Sequence, residues 1–187
     1  RSNRRSGMAS VGRLQAGSLG EDGPRFGPRT LGLGAAVVAL AALAVALGSQ
    51  RWGGLIACPL CLLERWPYRI AAALGIAAAL LPPRLARPVL WLVVLTFAAG
   101  AAIAFVHVGV EQRWWKSPLP ECNAPPLTAG SLSAMLANLP AHPSKSCADP
   151  TYLIPGLPVS MALMDLLYAL GAAGLLACFL RRWEHAR

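Results

Sequence analysis

At 187 residues, 56% hydrophobic and only 13% charged, the chain has about half the charged share of an average soluble domain. Together with its long apolar runs, this excludes an ordinary soluble globular fold and points to an integral membrane protein. The formal net charge of +9 fits the Lys/Arg excess that membrane proteins keep on their cytoplasmic side, and no basic patch interleaved with aromatics supports nucleic-acid binding.

Residues 1–29 are polar and rich in Gly, Ser and Arg, and are expected to form a disordered basic cytoplasmic tail, with Met8 an alternative start. No small-residue cleavage site follows the first apolar run, so a targeting peptide is not expected. Residues 31–47 form a continuous apolar run, the first expected span. A loop over 48–61 leads to Cys58-Pro59-Leu60-Cys61, at the start of the second expected span, 62–81. The uninterrupted apolar part of that span, 70–81, is too short to cross alone, which places Glu64, Arg65 and Arg69 in its interfacial first half. Pro67 falls in the first turns, where a missing amide donor costs least.

A basic turn over 82–88 precedes the third span, 89–108, which carries Trp91 near one end and His107 near the other. Residues 109–158 read as a long polar loop holding Cys122 and Cys147. Within it Leu132, Met135, Leu136 and Leu139 recur at helical spacing after Ser131, predicting a short amphipathic helix on the membrane surface. The fourth span is 159–180, closed by Arg181 and Arg182, with a cytoplasmic tail over 182–187. Gly75 with Ala79, Gly100 with Ala104, and Gly171 with Gly174 offer faces for close helix approach.

The fold class expected is therefore an all-α integral membrane protein: a four-helix transmembrane bundle over 30–181, with a long periplasmic loop carrying the short amphipathic helix. The two tails, Arg181 beside the second of them and the 82–88 turn hold eleven of the seventeen Lys and Arg residues, which puts both termini in the cytoplasm and both cysteine-bearing loops outside. In a bacterium that side is the periplasm, an oxidising compartment where a disulfide persists.

The chemistry centres on the C-x-x-C. Cys61 and Arg65 share a helix face one turn apart, and the helix dipole and the guanidinium both favour a Cys61 thiolate. Cys122 and Cys147 form a second pair on the same side. They have two readings: a structural disulfide worth roughly 3–4 kcal/mol, or one half of an exchange relay. In the relay the loop pair meets a soluble partner and the C-x-x-C meets a lipid-soluble two-electron acceptor, such as a quinone. Zinc competes for the four cysteines, but 24 residues separate Cys122 from Cys147 where structural zinc uses two close pairs, so no metal is expected. Glu64 is expected to pair with a cation. Arg69 and Asp165, a carboxylate inside the fourth span, are open candidates, and Cys178 reads as a small buried apolar residue.

The run from Cys58 through Glu64-Arg65-Trp66-Pro67 to Tyr68 resembles the hallmark of the disulfide-bond formation protein B (DsbB) family. His107-Val108-Gly109-Val110-Glu111 followed by Trp114, Trp115 and Cys122 resembles it too, as does Cys147 followed by the run from Gly156 to Ala162. The resemblance implies a four-helix inner-membrane protein that reoxidises a DsbA-like thioredoxin-fold oxidase of the periplasm and hands electrons to ubiquinone or menaquinone. By position it implies that Cys122 forms the mixed disulfide with that partner, Cys147 resolves toward Cys58, and Cys61 contacts the quinone. Arg65 would support the quinone and the thiolate, and His107 would lie near the ring. The alternatives are a DsbB paralogue with one dedicated partner, a vitamin K epoxide reductase-like protein, and a non-catalytic membrane scaffold held by a structural disulfide.

Overall fold

The computed structural model describes residues 27–122, 145–153, 156 and 158–185. The tail before residue 27 and the amphipathic helix expected around 131–139 lie outside them. The described chain is helical, with no strand beyond an isolated bridge between Tyr152 and Ser160.

Helix α1, Pro28–Arg51, starts where Gly27 is the N-cap and Pro28 takes the first helical position, where its missing N–H costs nothing. Two residues assigned to the tail, Pro28 and Arg29, therefore belong to the helix. Leu31, Ala35 and Ala39 form a buried stripe at every fourth residue. The second expected span is not one continuous helix. A short helix α2, Pro59–Leu63, is capped by Cys58 and followed by a break at Glu64, from which α3, Arg65–Leu80, sets off. At about 1.5 Å per residue, α3 covers about 24 Å, short of a hydrocarbon core of about 30 Å. Among the described residues, three helices are long and apolar enough to cross a membrane: α1; α4, Pro83–Glu111; and α5, Met161–His185. Helix α5 runs on through Arg181, Arg182 and Glu184, so most of the expected C-terminal tail is helical.

Helix α3 packs between α1 and α4, and α5 packs on α4. The α1–α3 crossing is close because it is made by glycines. A Cβ on Gly32 would lie 2.6 Å from the Gly75 carbonyl oxygen, and one on Gly75 would lie 2.8 Å from the Gly32 oxygen. Gly100 similarly admits Pro67, its added Cβ 3.2 Å from the ring. The expectation fails at Gly171 and Gly174, where an added Cβ meets nothing within 4 Å. Small-residue spacing is common in Ala-rich helices and does not by itself say which face meets a neighbour.

Tyr68, Leu90, Val93, Phe97, Leu176 and Leu180 are the large side chains of the main buried core. At one end, Arg87 and Trp91 of α4 both donate to Glu184 of α5, at 2.6 and 3.2 Å. At the other, α4 stops after Glu111, Arg113 adopts a left-handed φ of 59°, and the chain folds back. Trp115 lies across Gly109 so closely that no side chain fits there, and its indole N–H donates to the Val106 carbonyl at 3.0 Å. The basic turn expected over 82–88 is, after Pro82, the first turns of α4, and its arginines and the cysteines thus sit at opposite ends of that helix.

Candidate functional site

Cys58 has an extended backbone (φ −81°, ψ 163°), and its sulfur accepts the Cys61 N–H at 3.1 Å. This is N-capping by a cysteine: the sulfur satisfies an amide that the first turn leaves without a helical partner. Pro59 starts the helix, and Leu60, 1% exposed, anchors it. The loop brings in the second pair. Cys122 ends a 3₁₀ turn, Pro120–Cys122, and is disulfide-bonded to Cys147, with Cα atoms 5.1 Å apart. Cys58, Leu60, Val110, Cys122 and Cys147 form one buried cluster. The four cysteines expected to act together are therefore brought together, with the loop pair bonded and Cys58 and Cys61 free.

His107, one turn before the end of α4, reaches the C-x-x-C. Its Nε2 lies 3.5 Å from Cys58 Sγ, and its Nδ1 lies 2.8 Å from Glu64 Oε1. Glu64, expected to pair with a cation, holds this histidine at the α2–α3 break. Its carboxylate shares a hydrogen bond with Nδ1, which turns Nε2 toward Cys58. Glu111 Oε1 is 4.0 Å from the same Nε2, and Glu111 Oε2 is buried without a hydrogen-bond partner among the described residues.

The expectation that Cys61 is the favoured thiolate does not hold for this arrangement. The amide, the imidazole and the second thiol converge on Cys58. The hydrogen bond from Cys61 holds the Cys58 thiol below the usual cysteine range, and the same bond pushes Cys61 up. The sequence argument placed the dipole's effect one turn too deep: the N-cap, not the third helical residue, receives the free amide.

Arg65 is 7% exposed and donates from Nη2 to the Ala46 carbonyl of α1 at 3.3 Å, while its Nε has no partner among the described residues. Tyr68, one turn on, donates to Asp165 Oδ1 at 2.6 Å, and Asp165 Oδ2 is buried with no partner among the described residues. Cys61, Glu64, Arg65, Tyr68, His107 and Asp165 line a cavity of about 240 Å³ whose other wall is the apolar face of α1 around Ala42 and Ala46. Arg69 does not line it; its guanidinium stacks 5.3 Å over Trp66. Cys178 is exposed on the outer surface of α5 rather than buried.

Two residues of this site were hard to assign from the sequence. Tyr68 stands three residues after Arg65, a spacing that shares a helix face, and Glu111 stands four after His107. Only the position of α5 shows that Asp165 is Tyr68's partner.

Residues 28–179 match the family model described as "Disulfide bond formation protein DsbB". No curated protein and no solved structure matches the chain.

Proposed function

The chain belongs to the DsbB family, whose members are membrane disulfide-generating oxidoreductases, and from that premise we propose that it reoxidises a DsbA-like thioredoxin-fold oxidase of the periplasm and passes the electrons to a membrane quinone, ubiquinone or menaquinone. The observation that carries this reading is the single buried cluster of Cys58, Cys122 and Cys147 beside a cavity lined by Cys61, Arg65 and His107. In this reading α3, with the last residues of α2, completes four inner-membrane spans, both termini are cytoplasmic, and α2 lies at the periplasmic surface. The separation of the basic turn from the cysteines along α4 supports that orientation.

Disulfides move by thiolate attack on sulfur. A partner thiolate attacks Cys122, the Cys122–Cys147 bond breaks, and a mixed disulfide forms at Cys122. The partner's second thiolate then attacks the partner sulfur of the mixed disulfide, the bond to Cys122 breaks with Cys122 leaving as thiolate, and the partner departs oxidised while Cys122 and Cys147 are both reduced. Cys147 attacks an oxidised Cys58–Cys61 pair at Cys58, and Cys122 completes the exchange. The loop disulfide is restored and the C-x-x-C is left as two thiols, the oxidation pattern of the present structure. Reclosing Cys58–Cys61 releases two electrons and two protons.

A quinone, when bound, supplies the acceptor for both. The residues present fit such a group. The cavity is small beside ligand clefts of roughly 300–1,000 Å³, which suits a ring headgroup whose tail lies in lipid. Its walls are mostly apolar, yet Arg65 Nε and Asp165 Oδ2 are left without partners on lining side chains. Arg65 keeps its charge under all ordinary conditions and would hold the acceptor electrostatically. His107, oriented by Glu64, takes the Cys58 proton on Nε2.

The test is oxidation of a reduced DsbA-like protein by the purified chain in detergent with ubiquinone or menaquinone, comparing wild type with Cys61→Ser. Turnover that vanishes in the variant supports the relay. No turnover with either quinone, in folded protein, overturns it.

A further inference from the structure

Three soft or borderline ligand atoms meet at this site. Cys58 Sγ, Cys61 Sγ and a ring nitrogen of His107 all lie within 4.8 Å of one another. From these positions we infer that the reduced C-x-x-C and His107 form a binding site for a borderline-soft divalent cation such as zinc, available only when Cys58 and Cys61 are thiols.

The geometry is near what zinc requires. Metal–sulfur and metal–nitrogen bonds of about 2.3 and 2.0–2.1 Å in a tetrahedron put neighbouring S and N atoms about 3.6 Å apart. Cys58 Sγ and His107 Nε2 are already 3.5 Å apart. With Nδ1 hydrogen-bonded to Glu64, Nε2 is the ring nitrogen that faces Cys58 and would take the metal. A carboxylate behind a ligating imidazole is the usual outer partner at zinc sites. A second observation points the same way. Glu111 is buried, its Oε1 is 4.0 Å from Nε2, and its Oε2 has no partner among the described residues. Buried carboxylates are ordinarily paired or bound to a cation. Cys61 and His107 also line the cavity, so the ion would have access from it.

Binding moves no electrons. The two thiols give up two protons, both sulfurs and Nε2 bond the cation, and the charges of two thiolates are balanced by it. Closing the Cys58–Cys61 disulfide removes both sulfur ligands and releases the ion. The ligand set stands without the proposed quinone reaction. Its consequence, that the bound ion blocks reoxidation of the C-x-x-C, rests on that reading.

The experiment uses the full chain in detergent, reduced, with Cys122→Ser, Cys147→Ser and Cys178→Ser so that no other thiol competes. Cadmium is titrated against sulfur-to-metal charge-transfer absorbance. One cation per chain is expected, with none after oxidation of Cys58 and Cys61. Glu64→Gln should weaken binding about 10–100-fold, the usual cost of an outer-shell partner. His107→Ala should abolish tight binding, with circular dichroism confirming that each variant is folded. No stoichiometric binding, or binding unchanged in folded His107→Ala, overturns the site. In the wild-type protein, zinc should suppress quinone turnover and a chelator restore it. Turnover indifferent to zinc overturns the blocking role. Absence of turnover in protein that binds one cadmium overturns the oxidase reading and leaves the metal site standing.

Discussion

His107 Nδ1 lies 2.8 Å from Glu64 Oε1, with both side chains almost fully buried. The histidine belongs to the end of α4 and the glutamate to the break between α2 and α3. One hydrogen bond therefore ties the C-x-x-C helix to the bundle and orients the imidazole toward Cys58. Glu64→Gln keeps the shape and removes the charge, so it should cost about 1–3 kcal/mol of stability, the range for a buried bond to a charged group. Thermal unfolding in detergent measures this, and a change well below that range would show that the bond does not hold α2 in place.

The Tyr68–Asp165 pair joins α3 to α5 in the same way. Tyr68→Phe should destabilise by about 1–3 kcal/mol because it strands a buried carboxylate, whereas Tyr68→Phe combined with Asp165→Leu should recover much of the loss. A double-mutant cycle isolates the coupling. Two additive losses would sink the pairing.

The α1–α3 crossing predicts opposite effects from the same substitution. Gly32→Ala forces its Cβ against the backbone of α3 and should cost on the order of 1–3 kcal/mol. Gly171→Ala enters open space and should be neutral or stabilising by about 0.5–1 kcal/mol, the ordinary helix preference for Ala. Equal effects at the two positions, measured by thermal unfolding, would contradict the packing.

The cysteine pair sets a pH dependence. Cys58 is held below the usual cysteine range by its bond from Cys61, and Cys61 is held above it. The sign follows from linkage. A depressed Cys58 adds stability to the dithiol form at and above the ordinary thiol pKa, and this is lost as pH falls through its lowered value. A raised Cys61 adds stability below the ordinary value, lost as pH rises toward its own. The reduced full chain carrying Cys122→Ser, Cys147→Ser and Cys178→Ser should show one thiolate by ultraviolet absorbance below the ordinary range. Cys61→Ala, which removes the side-chain donor to Cys58, should move that titration upward. An unmoved titration would mean that the amide and the imidazole alone set it.

Arg65→Lys tests the proposed acceptor site. Lysine keeps the charge but loses the planar fork that bonds Ala46 and leaves Nε at the cavity. Under the proposed function the apparent KM for quinone should rise about tenfold or more, corresponding to about 1.4 kcal/mol or more, with the partner's KM unchanged. A change confined to the partner's KM would place Arg65 outside acceptor binding.

By itself the sequence determined the membrane class and the long apolar helices, and it singled out the residues proposed to bear chemistry, because all of these are written in local features: run length, charge and short spacings such as C-x-x-C-x-x-x-R. It also named the four cysteines, Arg65 and His107. Tertiary structure alone decided how they meet. The break at Glu64 lies where Pro67 lacks the N–H that the Leu63 carbonyl would accept, a local signal that an apolar run alone does not show. The partnership of His107 with Cys58 and Glu64, and of Tyr68 with Asp165, spans 43 to 97 positions of chain, and only the helix arrangement closes those distances. For the same reason Gly32 and Gly75 form a contact while Gly171 and Gly174 do not: identical residues acquire meaning only from the neighbour that the fold places against them.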